Sequence, residues 1–212
     1  AHFIALNSHD LNRSPDAAMA QWLRADLAQT AADWIFAYWH HPPYTKGSHD
    51  SDTEAQLVEM REYIMPILED GGVDIVFTGH SHIYERSMLI DGAYATPTIA
   101  EGVVLDDGDG DPRGDGAYRK SDGLRPHEGT VVIVTGHGAT GLGRVGTMPI
   151  MRRVIYPEHG SVIVDVEGDT ANAIMLNSEG KRLDSFQIVK RGSVTPTRVA
   201  DPFQLPSYPN QN

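Results

Sequence analysis

Apolar residues recur along this chain with two periods, and the changes between them mark out its elements. Ala1-His2-Phe3-Ile4-Ala5-Leu6 reads as an opening strand. Ser14-Pro15-Asp16 then gives a helix-start signal: a capping hydroxyl, proline at the first position and an acid in the first turn. Met19, Trp22, Leu23 and Leu27 follow at helical spacing and predict one face packed on a sheet. Trp34 to Trp39 is a short continuous apolar run, the pattern of a strand covered on both sides, and it ends at His40. Ser51-x-x-Glu54 has the form of a capping box, after which Leu57, Met60, Ile64, Ile67 and Leu68 keep the helical period up to Gly71-Gly72. Pro66 is expected to kink or restart that helix. Val73 to Phe77 predicts a second buried strand, which leads into Gly79-His80-Ser81-His82. Strand, helix, strand, helix, strand is α/β order, and open parallel sheets hold ligands beyond the carboxyl ends of their strands. Both histidine groups fall at such ends.

The second half has a different texture. Asp91 to Glu128 is rich in Gly, Asp and Pro without sustained periodicity, which predicts a long surface-loop excursion with short strands at most. From Thr130 on, the runs Val131–Val134, Ser161–Val166, Ala173–Leu176 and Ser185–Val189 predict an antiparallel β-meander. Gly168-Asp169 and Ser178-Glu179-Gly180 are its expected hairpin turns. Residues 193–212 hold several prolines and little apolar content and are expected to be an irregular tail on a unit spanning 1–192.

Composition narrows the function classes. At 212 residues, one well-buried core is expected. The formal charge of -12 disfavours nonspecific attraction to nucleic acid or anionic membrane, so a phosphate would need a local cationic site. No apolar stretch approaches the roughly 18 residues of a membrane span. Cysteine is absent, which removes disulfide and thiolate chemistry without naming a compartment.

His40, His80 and His82 carry the candidate chemistry. A lone strand-terminal histidine is more often bonded to backbone, and a bare His-x-His is a weak signal. Two histidine groups at the ends of two buried strands are another matter, because imidazole suits zinc, iron and manganese. Two ions about 3.5–4 Å apart clamp both the attacking and leaving oxygens of a phosphoryl group.

The context of these residues resembles the purple acid phosphatases of the calcineurin-like metallophosphoesterases. Val73 to Ser87 is similar to that family's hydrophobic strand, Gly-His-x-His and Tyr-Glu-Arg, and His40-His41-Pro42-Pro43-Tyr44 to its His-x-Pro-x-Tyr. Gln21-Trp22-Leu23-x-x-Asp26-Leu27 and Gly129 to Gly136 resemble the helix before and the strand after. The resemblance, over about residues 2–190, implies a four-layer α/β/β/α sandwich of which this chain is the C-terminal part. It also implies phosphate-ester hydrolysis at two metal ions (Fe, Zn or Mn) through a metal-bound hydroxide. His40 and His80 would bind one metal and His82 the other, with His41 at a variable position. His49 would lie near substrate, donating a hydrogen bond to phosphate or a proton to the leaving group. Asp50 stands where plant-type relatives often carry a second histidine. Tyr84, Glu85 and Arg86 would orient the loop and the ligands. Extracytoplasmic residence is compatible with the resemblance.

The family's carboxylate, tyrosine and asparagine ligands come from earlier motifs that do not precede His40 here, so the resemblance implies an N-terminal half beyond this chain. Gly114-Asp115-Gly116-Ala117-Tyr118 matches Gly-Asp-x-x-Tyr letter for letter, but it lies after the histidines and follows no buried strand. Asp106 to Asp111 does not place glycine and the terminal glutamate at the EF-hand positions and reads as a solvated acidic loop. His127 and His137 carry no assigned role, although the glycine-flanked His137 could approach the site. Two other readings stay open: a noncatalytic metal-binding or structural fragment, and an unrelated metallo-β-lactamase-like hydrolase, whose His-x-His-x-Asp-His run is absent.

Overall fold

A strand buried on both faces needs a layer on each side, and alternation along the central strands shows where those layers lie. In the computed structural model, which describes residues 1–95 and 102–199, Ile35 and Ala37 of β2 (Ile35–Tyr38) face helices, whereas Trp34 and Phe36 face a second sheet. Val76 against Ile75 in β3 (Ile75–Thr78), and Val132 against Val131 and Ile133 in β8 (Val131–Thr135), divide the same way. Successive side chains of a strand point to opposite faces, so one apolar run feeds two cores.

The first sheet has the order β1-β2-β3-β8-β4-β9. Strands β1 (His2–Ala5), β2, β3 and β8 are parallel; β4 (Tyr84–Ser87) runs against them, and β9 (Met151–Ile155), antiparallel to β4, returns to their direction. Helix α1 (Ala18–Gln29), α2 (Ala55–Glu59), a π-helical turn (Met60–Ile64) and α3 (Met65–Asp70) cover one face. The second sheet, order β10-β11-β12-β7, covers the other. It is a meander of β10 (Gly160–Glu167), β11 (Thr170–Asn177) and β12 (Arg182–Lys190), with β7 (Tyr118–Lys120) added in parallel to β12. β5 (Leu89–Ile90) and β6 (Val104–Asp106) form a small hairpin. The described residues thus build α/β/β, three layers of the implied four, and no described helix covers the outer face of the second sheet. None of the described helices is long and apolar enough to cross a membrane.

Several local expectations are corrected. Val131–Val134 is a parallel strand of the first sheet, beside β3, so the meander starts only at β10. A continuous apolar run signals burial on both faces and leaves the partner strand open. Trp22 is 49% exposed; Met19, Ala20, Leu23 and Leu27 form the buried face, and Trp22 lies about 100° round the helix from Leu23. Helix α1 starts at Ala18, without a side-chain cap. No capping box forms at Ser51 either: its hydroxyl donates to the Thr45 carbonyl, and Glu54 is itself the residue before the helix. Pro66 does restart a helix: α3 begins at Met65 with the proline in its first turn, and the π turn comes directly before it. Within 91–128, Val103, Val104, Tyr118 and Lys120 are buried, so this stretch contributes to the core as well as the surface. Residues 96–101 of the stretch, and the tail from 200, lie outside the described residues.

Two buried ionic knots join the sheets. Asp74, just before β3, receives Lys120 at 2.7 Å and Lys190 at 2.8 Å, and Lys190 also lies 4.7 Å from the Trp34 ring centre. Nearer the other strand ends, Arg86 pairs with Asp184 through Nε (2.7 Å) and Nη2 (3.0 Å), and the Tyr84 hydroxyl donates to the same carboxylate at 2.8 Å. Burial pushes the Asp184 carboxyl up, but Arg86 and Tyr84 outweigh it and hold it below the usual range.

Candidate metal centre

Adjacent parallel strands β2 and β3 end side by side, and their next residues carry the histidines. The Gly79 N–H donates to the His40 carbonyl at 3.0 Å, locking the two exits together. His80 then adopts φ +61°, a left-handed conformation that turns the chain out of the strand. Gly136 fixes the other side of this turn, because a side-chain carbon there would run into the Ser81 carbonyl.

The turn brings His40 Nε2 to 3.0 Å from His80 Nδ1. His49 stacks on His80 with ring centres 3.7 Å apart. Glu54 accepts from His49 Nδ1 at 2.9 Å and lies 3.5 Å from His80 Nε2. His9 stacks on His40 at 4.6 Å and meets His41 edge-on at 4.5 Å. Two trios, His49-Glu54-His80 and His9-His40-His41, each offer ligand atoms within 4.8 Å of one another. His41 is buried, with Nδ1 2.9 Å from the Ser8 hydroxyl. His82 joins neither trio: its Nδ1 is 2.6 Å from the Gly141 carbonyl, and its backbone N–H donates to Ser48.

Burial and mutual repulsion lower the pKa of three of these rings, His40, His80 and His41. Burial, then His9, His49 and His82, lower the pKa of His40; burial, then His49 and His40, lower that of His80 against the opposing pull of Glu54. Burial and His80 bring His41 down to about 4. A neutral imidazole keeps the lone pair that a metal needs.

Supports reach the site from three directions. Glu85 is fully buried and accepts from the Thr45 hydroxyl and from Lys46 N–H at 3.2 Å; Thr45 and Ser81 hydroxyls lie 2.9 Å apart. Glu85 thereby ties the His80 turn to the segment carrying His49. Its strand neighbours Tyr84 and Arg86 point the opposite way, into the inter-sheet knot, as alternation requires. Arg61, buried in the π turn, donates to the carbonyls of Pro43 and Ser51 on the His49 segment.

His9 and Glu54 carried no sequence signal for this site. His9 belongs to no apolar period, and the i, i+3 spacing made Glu54 look like a cap. Tyr118 of the false motif is buried in the second sheet, where its hydroxyl donates to the Gly108 carbonyl and accepts from Arg86. Asp111 is engaged by Arg113 and Ser185. His137 packs edge-on against Tyr84 rather than against the histidine cluster.

Residues 2–84, which include both trios and His82, match the family of calcineurin-like phosphoesterases. The similarity extends to purple acid phosphatases. It is 33% identical to Purple acid phosphatase 18 of Arabidopsis thaliana over 112 residues, 50% of this chain and 24% of that protein. Purple acid phosphatase 22 of the same plant is 35% identical over 112 residues, again 50% and 24%. An uncharacterized protein of Mycobacterium tuberculosis is 27% identical over 158 residues, 73% of this chain and 26% of that one. The chain therefore spans about a quarter of the length of these proteins. Purple acid phosphatase PPD1 from yellow lupin (Lupinus luteus) seeds superposes with a TM-score of 0.69 at 18% identity, over 92% of this chain and 34% of that one. GAP50, the anchor in the inner membrane complex of Plasmodium, gives 0.57 at 15%, over 90% and 50%. At these identities the likeness shows the fold.

Proposed function

We propose that this chain supplies the histidine side of a two-metal centre that hydrolyses phosphate esters. The 3.0 Å approach of His40 Nε2 and His80 Nδ1 at the ends of neighbouring parallel strands carries the reading. Neutral nitrogens this close fit a shared ion, since ligands at 2.0–2.1 Å in tetrahedral geometry stand about 3.3 Å apart. In this reading His40 and His80 hold one ion. His82 holds the other through Nε2, because the Gly141 carbonyl engages its Nδ1 and fixes the ring. An all-imidazole face suits Fe, Zn or Mn. Bound there, the ions would supply Lewis-acid polarisation of a phosphoryl group and acidify water.

His49 is the group of this chain assigned to substrate. Glu54 engages its Nδ1, which leaves Nε2 to hold a phosphate oxygen or protonate the leaving oxygen. Glu85, through Thr45 and Ser81, keeps the His49 segment and the His80 turn in register, while Tyr84 and Arg86 anchor β4 beneath them.

Glu54 is the sole carboxylate of the two trios among the described residues. We assign the remaining carboxylate ligands to polypeptide preceding Ala1 in the complete protein. Strands β1 and β10 are open edges of the two sheets. Between them Phe3, Tyr38, Phe77, Val162 and Val164 line a trough of about 810 Å³ that reaches His40. Phe3 is 67% exposed there, an apolar surface fit for further strands. On its own the chain is then a noncatalytic fragment with weak metal binding and negligible turnover. In the full-length protein, His82→Ala should lower bound metal and nearly abolish hydrolysis of p-nitrophenyl phosphate. Unchanged metal content would sink the ligand assignment, and two tightly bound ions on the isolated chain would contradict the division of the site.

A further inference from the structure

At the opposite ends of β3 and β8 from the histidine cluster, three separate segments converge on a second set of metal-type ligands. Glu69 lies in the last turn of α3, Asp91 directly follows β5, and His127 lies in the segment leading to β8. Each presents a ligand atom within 4.8 Å of the other two.

Glu69 and Asp91 are both 2% exposed. Glu69 Oε2 is satisfied by the Gly92 N–H at 2.9 Å and by the Tyr94 hydroxyl. Its Oε1, equally buried, has no hydrogen-bond partner among the described residues. Such an atom carries the full cost of lost hydration unless something binds it. Asp91 Oδ2 receives Arg198 at 2.6 Å, and Oδ1 faces His127 Nδ1 at 2.8 Å. His127 holds φ +59°, and its far nitrogen Nε2 lies 2.8 Å from Asp70 Oδ1. A carboxylate behind the outer nitrogen is the arrangement that orients a metal-ligating imidazole and fixes its tautomer.

We propose that Glu69, Asp91 and His127 bind one divalent transition-metal cation, of the Zn²⁺ or Mn²⁺ type, at a structural site separate from the histidine cluster. Two carboxylates and one imidazole suit such ions. Calcium, which takes six to eight oxygen ligands, does not match a set of three that includes nitrogen. Bonds of 2.0–2.2 Å put tetrahedral ligands about 3.3–3.6 Å apart, inside the observed spread. The ion would occupy the place the unpaired Oε1 leaves open and join α3, the β5–β6 hairpin and the approach to β8. The half-exposed His127 side chain gives it an entry path.

The test uses the full chain, stripped with EDTA, in a His40→Ala/His80→Ala background that removes a ligand from each trio of the histidine cluster. Calorimetric titration with Zn²⁺ and with Mn²⁺ should show one equivalent bound, and thermal unfolding should shift upward with the metal. Adding His127→Ala should weaken binding at least about tenfold, since removing even the groups behind ligands costs 10–100-fold, and should abolish the thermal shift. Glu69→Gln keeps the side-chain shape and should do the same; if that variant fails to fold, His127→Ala, at a half-exposed position, decides. No uptake in the background protein would mean a proton shared between the two carboxyls instead of a metal, and would overturn the proposal. Undiminished binding by His127→Ala, or a preference for Ca²⁺, would overturn it as well.

Discussion

His137 is fully buried in the short turn after β8, and neither ring nitrogen has a hydrogen-bond partner among the described residues. Burial, with His159 nearby, lowers its pKa to about 4. Unfolded, it titrates near its ordinary 6.5. Between those values the unfolded chain binds the extra proton, so this group's contribution is complete above pH 6.5 and is lost as pH falls toward 4. The full difference is on the order of 3 kcal/mol. His137→Phe should therefore flatten the rise of unfolding free energy between pH 4 and 6.5 relative to the parent, as read by urea titrations across that range. Parallel curves for the two proteins would refute it. Asp184 makes the opposite kind of residue, buried but fully engaged by Arg86 and Tyr84. Asp184→Ala strands the Arg86 charge in the inter-sheet layer and should cost about 3–5 kcal/mol in urea unfolding. A loss under about 1 kcal/mol would mean that the knot contributes little.

At the scale of elements, the site is a set of strand exits joined by tight contacts. The His80 turn is held by a left-handed residue and by the approach of Gly136 to the Ser81 carbonyl. Gly136→Ala should displace that turn, destabilise the fold by about 1–3 kcal/mol and weaken metal binding in the full-length protein. Metal titration and thermal unfolding would check the two effects together; wild-type values of both would show that the turn tolerates the extra carbon. The helical layer contributes through its irregular part. Pro66 has no N–H to give and crowds the carbonyl four residues back, and the widened π turn just before it carries Arg61 to the Pro43 and Ser51 carbonyls. A regular α-helix with the same apolar period would aim Arg61 elsewhere, so the break in periodicity is part of how the His49 segment is held.

For the whole molecule, the proposed division of the site turns on the edges β1 and β10. The trough between these edges is apolar along Phe3, Tyr38 and Val162 and ends at His40. If preceding polypeptide adds strands there, the isolated chain should bind a hydrophobic dye such as ANS, and the full-length protein should bind it far less. Equal dye binding by both would place the preceding polypeptide elsewhere. The same comparison should show metal affinity rising when the preceding polypeptide is present, because carboxylates fix ions that imidazoles alone hold loosely.

By itself the sequence determined what depends on near neighbours. The period of apolar residues marked the central strands and their burial on both faces, and the strand ends placed His40, His80 and His82 on one rim. Val73 to Ser87, with its Gly-His-x-His and Tyr-Glu-Arg, carried the family resemblance. Only the tertiary structure decided what depends on residues far apart in the chain. Glu54 had the spacing of a cap and became the partner of His49 and His80, because the exits of β2 and β3 converge on it. The Val131–Val134 run fitted a meander as well as a parallel sheet until β3 took it as a neighbour. Tyr84 and Arg86 were separated from Glu85 in task by the two-residue alternation of a strand packed between layers. Hydrophobic period is a local property that any covering layer satisfies, whereas a hydrogen bond or an ion pair needs one particular partner, and which partner arrives is settled by the packing of the whole chain.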